Sequence, residues 1–328
     1  MTAAAPLFAL LLTLSQAPAP AAVPTPGAAA APAPGRVDVM VGIWVNQIHE
    51  VSLKENYFVA DFYVWFRWKG EDIKPQNTFA LVDGRIESKT EAVTRTLTDG
   101  ENYAYVRVVA RMTKFWDVRK FPLDNHQLSI IIEEEDSESD KLKYIVDTVN
   151  SGTEPRITVP GWVLAEKEEV GGLGTYRSNF GDITLPTGNA SSYARATLTM
   201  TFNREGTNYM AKLFFGLWIA VAIAFLAFFI KPTDVDPRFG LGVGAIFAAI
   251  ASEYIVTSSL PDTNIITLAD WLHLVAFAFI FVSIAQSTWS LWLFQNGHEV
   301  RSKKMDKLFV MLLPLTYVIT NVVLITKT

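Results

Sequence analysis

The chain contains no cysteine, which excludes disulfides, thiolate metal centres and a cysteine nucleophile. It is also short of charge: 19% of its 328 residues are Asp, Glu, Lys or Arg, against 50% hydrophobic. A soluble domain carries about a quarter charged residues, so the apolar excess must gather somewhere, and it gathers in the last third. Basic residues do not cluster outside the short stretch from Arg301 to Lys307, and the net charge is -5. That leaves no nucleic-acid footprint. Also missing are a nucleophile–base pairing, a phosphate-cradling glycine loop and an HExxH helix, so no enzyme is expected.

Near the N-terminus an apolar run, Leu7 to Leu14, is too short to cross a bilayer, and Ala19-Pro20-Ala21 offers a cleavage site. Residues 1–21 are therefore expected to be a signal peptide, and 22–35, rich in Ala and Pro, an unstructured linker. From 36 to 204 the hydrophobic pattern has period two. Phe58, Ala60, Phe62, Val64, Phe66 and Trp68 share one face, while Asp61, Tyr63, Trp65 and Arg67 share the other. Ala104 to Met112 and Ala194 to Phe202 alternate in the same way. Such runs predict antiparallel strands with one wet face. Turn signals separate them at Asp83-Gly84, Asp99-Gly100, Ser151-Gly152 and Thr187-Gly188-Asn189, which makes an all-β immunoglobulin-like sandwich the expected fold of this region.

After Glu205 the period changes. Four apolar segments, about 208–231, 237–260, 265–294 and 306–326, have the length a bilayer requires. Four in series make buried core helices the weaker reading, so 205–328 is expected to be a four-helix transmembrane domain. Arg301, Lys303, Lys304 and Lys307 lie between the third and fourth segments, and Lys231 and Arg238 between the first and second. No Lys or Arg occurs from Ser258 to Asn264. This bias puts the basic connections in the cytoplasm and the β domain outside, periplasmic or extracellular, on a cell (inner) membrane.

Two short motifs stand out against this layout. Phe121-Pro122-Leu123-Asp124 has the form aromatic-Pro-x-Asp and precedes a strand-like run, Gln127 to Ile132, and Leu260-Pro261 joins the second and third segments. With this order of elements from about 36 to 328, the chain resembles the pentameric ligand-gated ion channel family, which includes the Cys-loop receptors. Lacking cysteine and having a short third connection, it is similar to the prokaryotic branch. The resemblance implies a homopentamer, each chain joined by four identical subunits around a pore lined by the second helix. Its partners would be membrane lipid, permeant cations and a small ligand of unknown identity, with no nucleic acid. The Trp-x-Pro element usual in the first binding loop is absent, the first helix carries Gly216 where a proline is usual, and the second helix is rich in glycine.

On a helix lining such a pore, one face reads Asp236, Gly240, Gly244, Phe247, Ala251, Tyr254 and Ser258 at steps of four and three. The opposite side carries Leu241, Ile246, Ile250 and Val256 for packing, although glycines also serve close helix packing. Five copies of Asp236, reinforced by Asp234, would make a carboxylate ring that selects cations, and Phe247 could close the pore by dewetting. Tyr254 is the second candidate gate. Glu253 and His273 lie at similar depth, Glu253 about eight residues, or roughly 12 Å, below Pro261. Pairing would lower the cost of burying both, and a water-filled vestibule is the alternative for Glu253.

By resemblance, Asp124 and Arg204 match an interface ion pair facing Pro261 to Asn264, with Arg119, Pro122 and the Ser52-Leu53-Lys54-Glu55 turn in the same coupling region. The ligand-site candidates are Tyr176, Phe180 and Tyr193 around the segment corresponding to the capping loop, with Tyr63, Trp65, Tyr103 and Tyr105 on strands. Aromatic cages bind organic cations, and exposed aromatics are also ordinary strand formers. Glu133, Glu134, Glu135 and Asp136, with Glu138 and Asp140 beyond, form an acidic run suited to a divalent cation or to shifted proton affinities, or simply a solvated face. No resident cofactor is expected, and Ca2+ or protons would act as modulators. The function so implied is a cation-selective ligand-gated channel subunit. The alternative is a non-conducting membrane sensor whose β domain binds a small ligand or a divalent cation.

Overall fold

A computed structural model describes residues 35–181 and 191–327. The expected signal peptide, nearly all of the expected linker and the expected Thr187-Gly188-Asn189 turn lie outside the described residues. The alternating runs become long strands. They are β1 (Val37–Ser52), β2 (Tyr57–Trp68), β3 (Phe79–Leu81), β4 (Gly84–Lys89), β5 (Val93–Thr96), β6 (Asn102–Thr113), β7 (Asn125–Glu138), β8 (Leu142–Val146), β9 (Gly152–Thr153), β10 (Trp162–Tyr176) and β11 (Ser191–Arg204). A single helical turn, α1 (Pro75–Thr78), precedes β3.

One sheet runs β4-β6-β2-β1-β8, with β5 on β6 and β9 on β1, and the other runs β10-β11-β7-β3. The inward face of β2 (Phe58, Ala60, Phe62, Val64, Phe66 and Trp68) is buried, as are the matching faces of β6 and β11. They meet Leu128, Ile130 and Ile132 of β7 in one apolar core. Alternation predicted this well because a strand with one wet face cannot slip by one residue without exposing its whole apolar set. Purely antiparallel pairing does not hold. β1 pairs with β8 and β9 in parallel, because the chain crosses from β7 in the second sheet to the edge of the first and returns in the direction of β1.

Beyond Arg204 come α2 (Gly206–Leu226), a 3-10 turn (Ala227–Phe229), α3 (Val235–Thr257), α4 (Leu268–Gln295) and α5 (Glu299–Lys327). All four α-helices are long and apolar enough to cross a membrane. α4 starts at a capping box: the Thr267 hydroxyl accepts the Asp270 N–H at 3.1 Å while the Asp270 carboxylate accepts the Thr267 N–H at 2.7 Å. This gives Asp270 a local structural task at the start of the span. α5 begins seven residues before the expected 306, because the polar residues from Glu299 continue the helix beyond the apolar window and Glu299 pairs with Lys303 at 2.5 Å.

Against its own subunit α3 packs with small residues. Gly242, Ala245, Ala249, Ser252 and Val256 are buried, together with Arg238. A Cβ on Gly242 would come within 2.6 Å of Ile284 Cγ1, whereas Gly240 and Gly244 have nothing within 4 Å. Close packing therefore rests on Gly242. Of Leu241, Ile246, Ile250 and Val256, expected to form the packing side, only Val256 is buried, and Ile250 is 47% exposed. At Gly242 the reason is the close approach of Ile284 of α4, which leaves no room there for a side chain on α3.

Candidate functional site

Where the sandwich meets the helices, the end of β11 carries Arg204 and the start of β7 is preceded by Asp124. The Arg204 guanidinium donates to both Asp124 oxygens, at 2.6 and 3.1 Å, and both side chains are buried. His126 adds a 2.6 Å contact to the same carboxylate. The guanidinium lies 3.9 Å from the Trp162 ring centroid and 5.1 Å from those of Phe121 and Tyr209. Trp116 and Trp162 flank His126 at 4.9 and 5.3 Å. A bidentate pair enclosed by aromatic faces uses the planar geometry that only arginine offers.

Burial alone would raise the Asp124 carboxyl, but hydrogen bonds from His126 and Arg204 outweigh it and hold the group below its ordinary range. A depressed carboxyl contributes stability that is present above the unfolded value, about 3.9, and is lost as pH falls through the folded value. Thermal unfolding should therefore vary little from this source above about pH 5 and worsen below about pH 4. Asp124→Asn is expected to show a smaller acid-dependent loss, measured as Tm against pH.

The signature loop touches the helices through its backbone and its apolar side chains. The Leu268 N–H at the start of α4 donates to the Arg119 carbonyl at 2.8 Å. Phe121, joined to Pro122 by a cis peptide bond, meets the Tyr209 ring of α2 edge-on at 6.1 Å. The Arg119 side chain turns instead to Asp117 at 2.5 Å, with both groups exposed, so its guanidinium takes no part in the contact with α4. The Ser52 carbonyl in the β1–β2 turn accepts the Trp116 indole N–H at 3.0 Å, which ties that turn to the same loop. Pro261 is buried beside Leu260.

On α3 successive residues turn by about 100°. Asp236, Gly240, Gly244, Phe247, Ala251, Tyr254 and Ser258 therefore centre on the side directly opposite the buried set, and all of them are exposed. Asp234 is exposed as well. Arg238, two residues past Asp236, is 1% exposed. It donates to both Asp306 oxygens at 2.8 and 3.1 Å and to the Ile230 carbonyl at 3.0 Å, and Gln286 donates to Asp306 at 2.7 Å. The sequence reading takes Arg238 only as a charge between the first and second segments and does not single out Asp306. The separation of 68 positions hides their pairing, and the one local signal was a carboxylate at the start of a membrane helix.

In the sandwich, Tyr176, Phe180 and Tyr193 converge with ring centroids 5.4 to 6.3 Å apart. Beneath them Glu133 is ion-paired to Arg195 and accepts the Tyr176 hydroxyl at 2.6 Å, and Arg195 donates to that hydroxyl at 2.7 Å. A Cβ on Gly174 would push the ends of both charged side chains aside.

No family model matches the sequence. The gamma-aminobutyric acid receptor subunit rho-1 of Homo sapiens is 24% identical over 276 residues, which covers 76% of this chain and 55% of that protein. The rho-3 subunit of Rattus norvegicus is 23% identical, with 76% and 57% covered. The "Probable ligand-gated ion channel 46" of Caenorhabditis elegans is 18% identical over 302 residues, with 82% and 56% covered. These alignments extend across sandwich and helices alike. These matches, at low identity, support the pentameric ligand-gated ion channel family. The chain spans about half the length of the curated relatives it matches. Together with the four apolar helices, the matches support a multi-pass membrane protein.

Two expected arrangements are corrected. Glu253 and His273 do not pair. The buried His273 ring contacts the Ala269 carbonyl at 2.9 Å and the Ser252 hydroxyl at 3.3 Å, and no carboxylate lies within 4 Å of it among the described residues. Matched depth fixed the height, but the residue facing α4 is 252, and residue 253 is rotated away by about 100°. Secondly, the acidic run does not converge on one point, and no metal-holding cluster occurs among the described residues. Strand alternation puts Glu134 on the core face with Ile130 and Ile132 and Glu133 on the other face, and both are buried. Glu133 goes to Arg195, while Glu134 accepts Thr78 at 2.8 Å and Tyr144 at 3.2 Å. Glu135 and Asp136 are exposed. Burial raises the Glu134 carboxyl above its ordinary range.

The aromatics form two groups on different sheets. Tyr63, Tyr103 and Tyr105 line the first sheet with centroids 6.0 to 6.2 Å apart. Arg95 lies over Tyr103 at 4.9 Å and Arg107, held by Asp61, over Tyr63 at 5.8 Å. Trp65 belongs to neither group. Its ring fills the space left by Gly42 and its N–H donates to Asp147 at 3.3 Å.

Proposed function

We propose that the chain is one subunit of a homopentameric, cation-selective, ligand-gated ion channel whose pore is lined by α3. The observation that carries this reading is the exposed stripe on α3. It places Asp236, Gly240, Gly244 and Ser258 on the side of a membrane helix that its own subunit leaves uncovered. Polar groups at membrane depth require water or another protein surface, and a closed ring of α3 helices offers both. At the mouth the pore-side charge would be that of Asp236 and Asp234, since Arg238 is buried against Asp306.

The proposed ligand site lies between subunits, with Tyr176, Phe180 and Tyr193 of one facing Tyr63, Tyr103 and Tyr105 of the next. The Glu133–Arg195 pair would supply charged partners for a small polar ligand, in keeping with the gamma-aminobutyric acid named for the rho relatives. Modulation by protons has its best candidate in Glu134, a buried carboxyl displaced upward. The sandwich would face the periplasm or the cell exterior, as the distribution of basic residues suggests.

Currents from the purified chain in lipid vesicles test this reading, with reversal potentials in asymmetric salt reporting selectivity. Ligand binding without current would replace it with the sensor. Phe247, 67% exposed at mid-helix on the stripe, is the proposed hydrophobic constriction. Phe247→Ser is expected to raise the basal current severalfold. An unchanged closed-state conductance would move the constriction to Tyr254, which is 74% exposed.

A further inference from the structure

Within the membrane helices, Lys212 on α2 and Glu253 on α3 have no ion-pair or hydrogen-bond partner among the described residues. Contacts between three helices fix their heights. The Phe214 ring of α2 lies 5.5 Å from the His273 ring of α4, and His273 contacts the Ser252 hydroxyl of α3 at 3.3 Å, so these three residues share one level. Lys212 lies two residues, about 3 Å, nearer the sandwich than Phe214, and Glu253 one residue, about 1.5 Å, nearer than Ser252. The two charges are therefore at nearly the same depth, each about one turn inside the sandwich end of its span, Asn208–Phe229 or Val235–Thr257.

Their directions differ. On α2 the buried side chains include Phe214, Leu217, Val221 and Ala224, and at about 100° per residue Lys212 falls nearly opposite them, where it is exposed. Below it on that side is Gly216, where a Cβ would meet nothing within 4 Å. Glu253 is half-buried and lies on the flank of α3, between the face packed on its own subunit and the exposed stripe. In a ring of α3 helices the stripe faces the axis and a flank faces the neighbouring subunit. Each charge is costly at membrane depth without a partner, and the two are opposite in sign and level in height. We propose that Lys212 of one subunit pairs with Glu253 of the next. This inference rests on the homopentamer reading and names the charges that close the ring. Because the two groups occupy different faces, the contact is head-to-tail. A dimer or any open chain of subunits leaves one lysine and one glutamate unpaired, and only a closed ring pairs them all. Such a pair specifies which faces meet more than it adds stability.

The absence of cysteine gives the test a background free of other thiols. Paired Lys and Glu side chains hold their backbones further apart than a disulfide permits. The full-length chain carrying Lys212→Cys and Glu253→Cys is therefore treated in lipid vesicles with a short bis-thiosulfonate reagent and run on a denaturing gel without reductant. A ladder of covalent oligomers reaching five chains is expected, while each single Cys variant stays at the mass of one chain. In native mass spectrometry, Lys212→Glu and Glu253→Lys should each lower the fraction of closed oligomer severalfold, and the double exchange should restore it. The milder Lys212→Gln and Glu253→Gln should lose oligomer non-additively when combined. A wild type of five chains whose Cys pair gives no ladder, or whose double charge exchange is no better than either single one, overturns the pairing and leaves the homopentamer standing. A wild type that remains a single chain overturns both.

Discussion

Arg204→Ala is expected to cost about 3–5 kcal/mol of stability, the range for removing one partner of a buried ion pair. The argument rests on what would be left behind. Asp124 is 4% exposed and would lose both guanidinium hydrogen bonds while remaining buried, with only His126 on one oxygen. Trp162, Phe121 and Tyr209 would together lose the cation that fills the space between them. An exposed pair such as Arg156–Glu154, where the Arg156 side chain is 89% exposed, should show almost nothing on the same substitution. Arg204→Lys should not rescue, because an ammonium cannot bind two carboxylate oxygens and lie flat on an indole at once. A double-mutant cycle with Asp124→Ala in thermal unfolding should give a coupling of about 0.5–3 kcal/mol. Additive losses would show that the two side chains act independently. Arg204 is followed within two residues by the first turn of α2. In the channel reading the same variant should therefore lose its response to ligand even where folded pentamers are recovered.

The sandwich was readable from sequence because period-two alternation carries its own error check, which explains the agreement along β2, β6 and β11. The four membrane helices were readable because length and missing charge are one-dimensional properties. What failed was azimuth and partner choice. Glu253 and His273 were placed at one depth correctly, yet a rotation of one residue hands the histidine to Ser252. Arg238 counted only as a topology charge, although it is among the largest side chains fully enclosed by protein. Its partner lies two helices later, where no local pattern connects the two. Trp65 alternates outward as an aromatic should, and only the absent Cβ of Gly42 on the neighbouring strand explains why it packs flat instead of standing free. The acidic run looked like one object because its members are adjacent. Alternation sends Glu133 to Arg195 on one face and Glu134 to Thr78 and Tyr144 on the other, and those partners lie on distant elements that the run itself does not reveal. Arg204 and Asp124, by contrast, were paired from the family motif, and distance along the chain was no obstacle.

Asp236→Arg is expected to turn a cation-preferring channel into an anion-preferring one. The reasoning starts from the two charges at the base of α3. Asp236 and Arg238 are two residues apart and so point roughly 200° away from each other. Arg238 faces inward, is 1% exposed and is neutralised by Asp306. Asp236 lies on the opposite, exposed side. In a ring of α3 helices the five Asp236 carboxylates would face the permeating ions, while the five Arg238–Asp306 pairs would be screened behind them and sum to no net charge. Selectivity would then follow the ring that ions meet at close range, so replacing five negative charges by five positive ones should reverse the sign of the reversal potential in asymmetric salt. Asp234→Ala should shift the potential in the same direction and by less, since Asp234 lies before the first turn of the helix. Arg238→Gln combined with Asp306→Asn provides the control, because removing a neutral pair should leave the permeability ratio as it was. A reversal potential unchanged in Asp236→Arg would put the selective element higher on the stripe. A shift in the Arg238→Gln, Asp306→Asn variant equal to that of Asp236→Arg would show that the buried pair, and not the exposed carboxylate, sets the charge of the mouth.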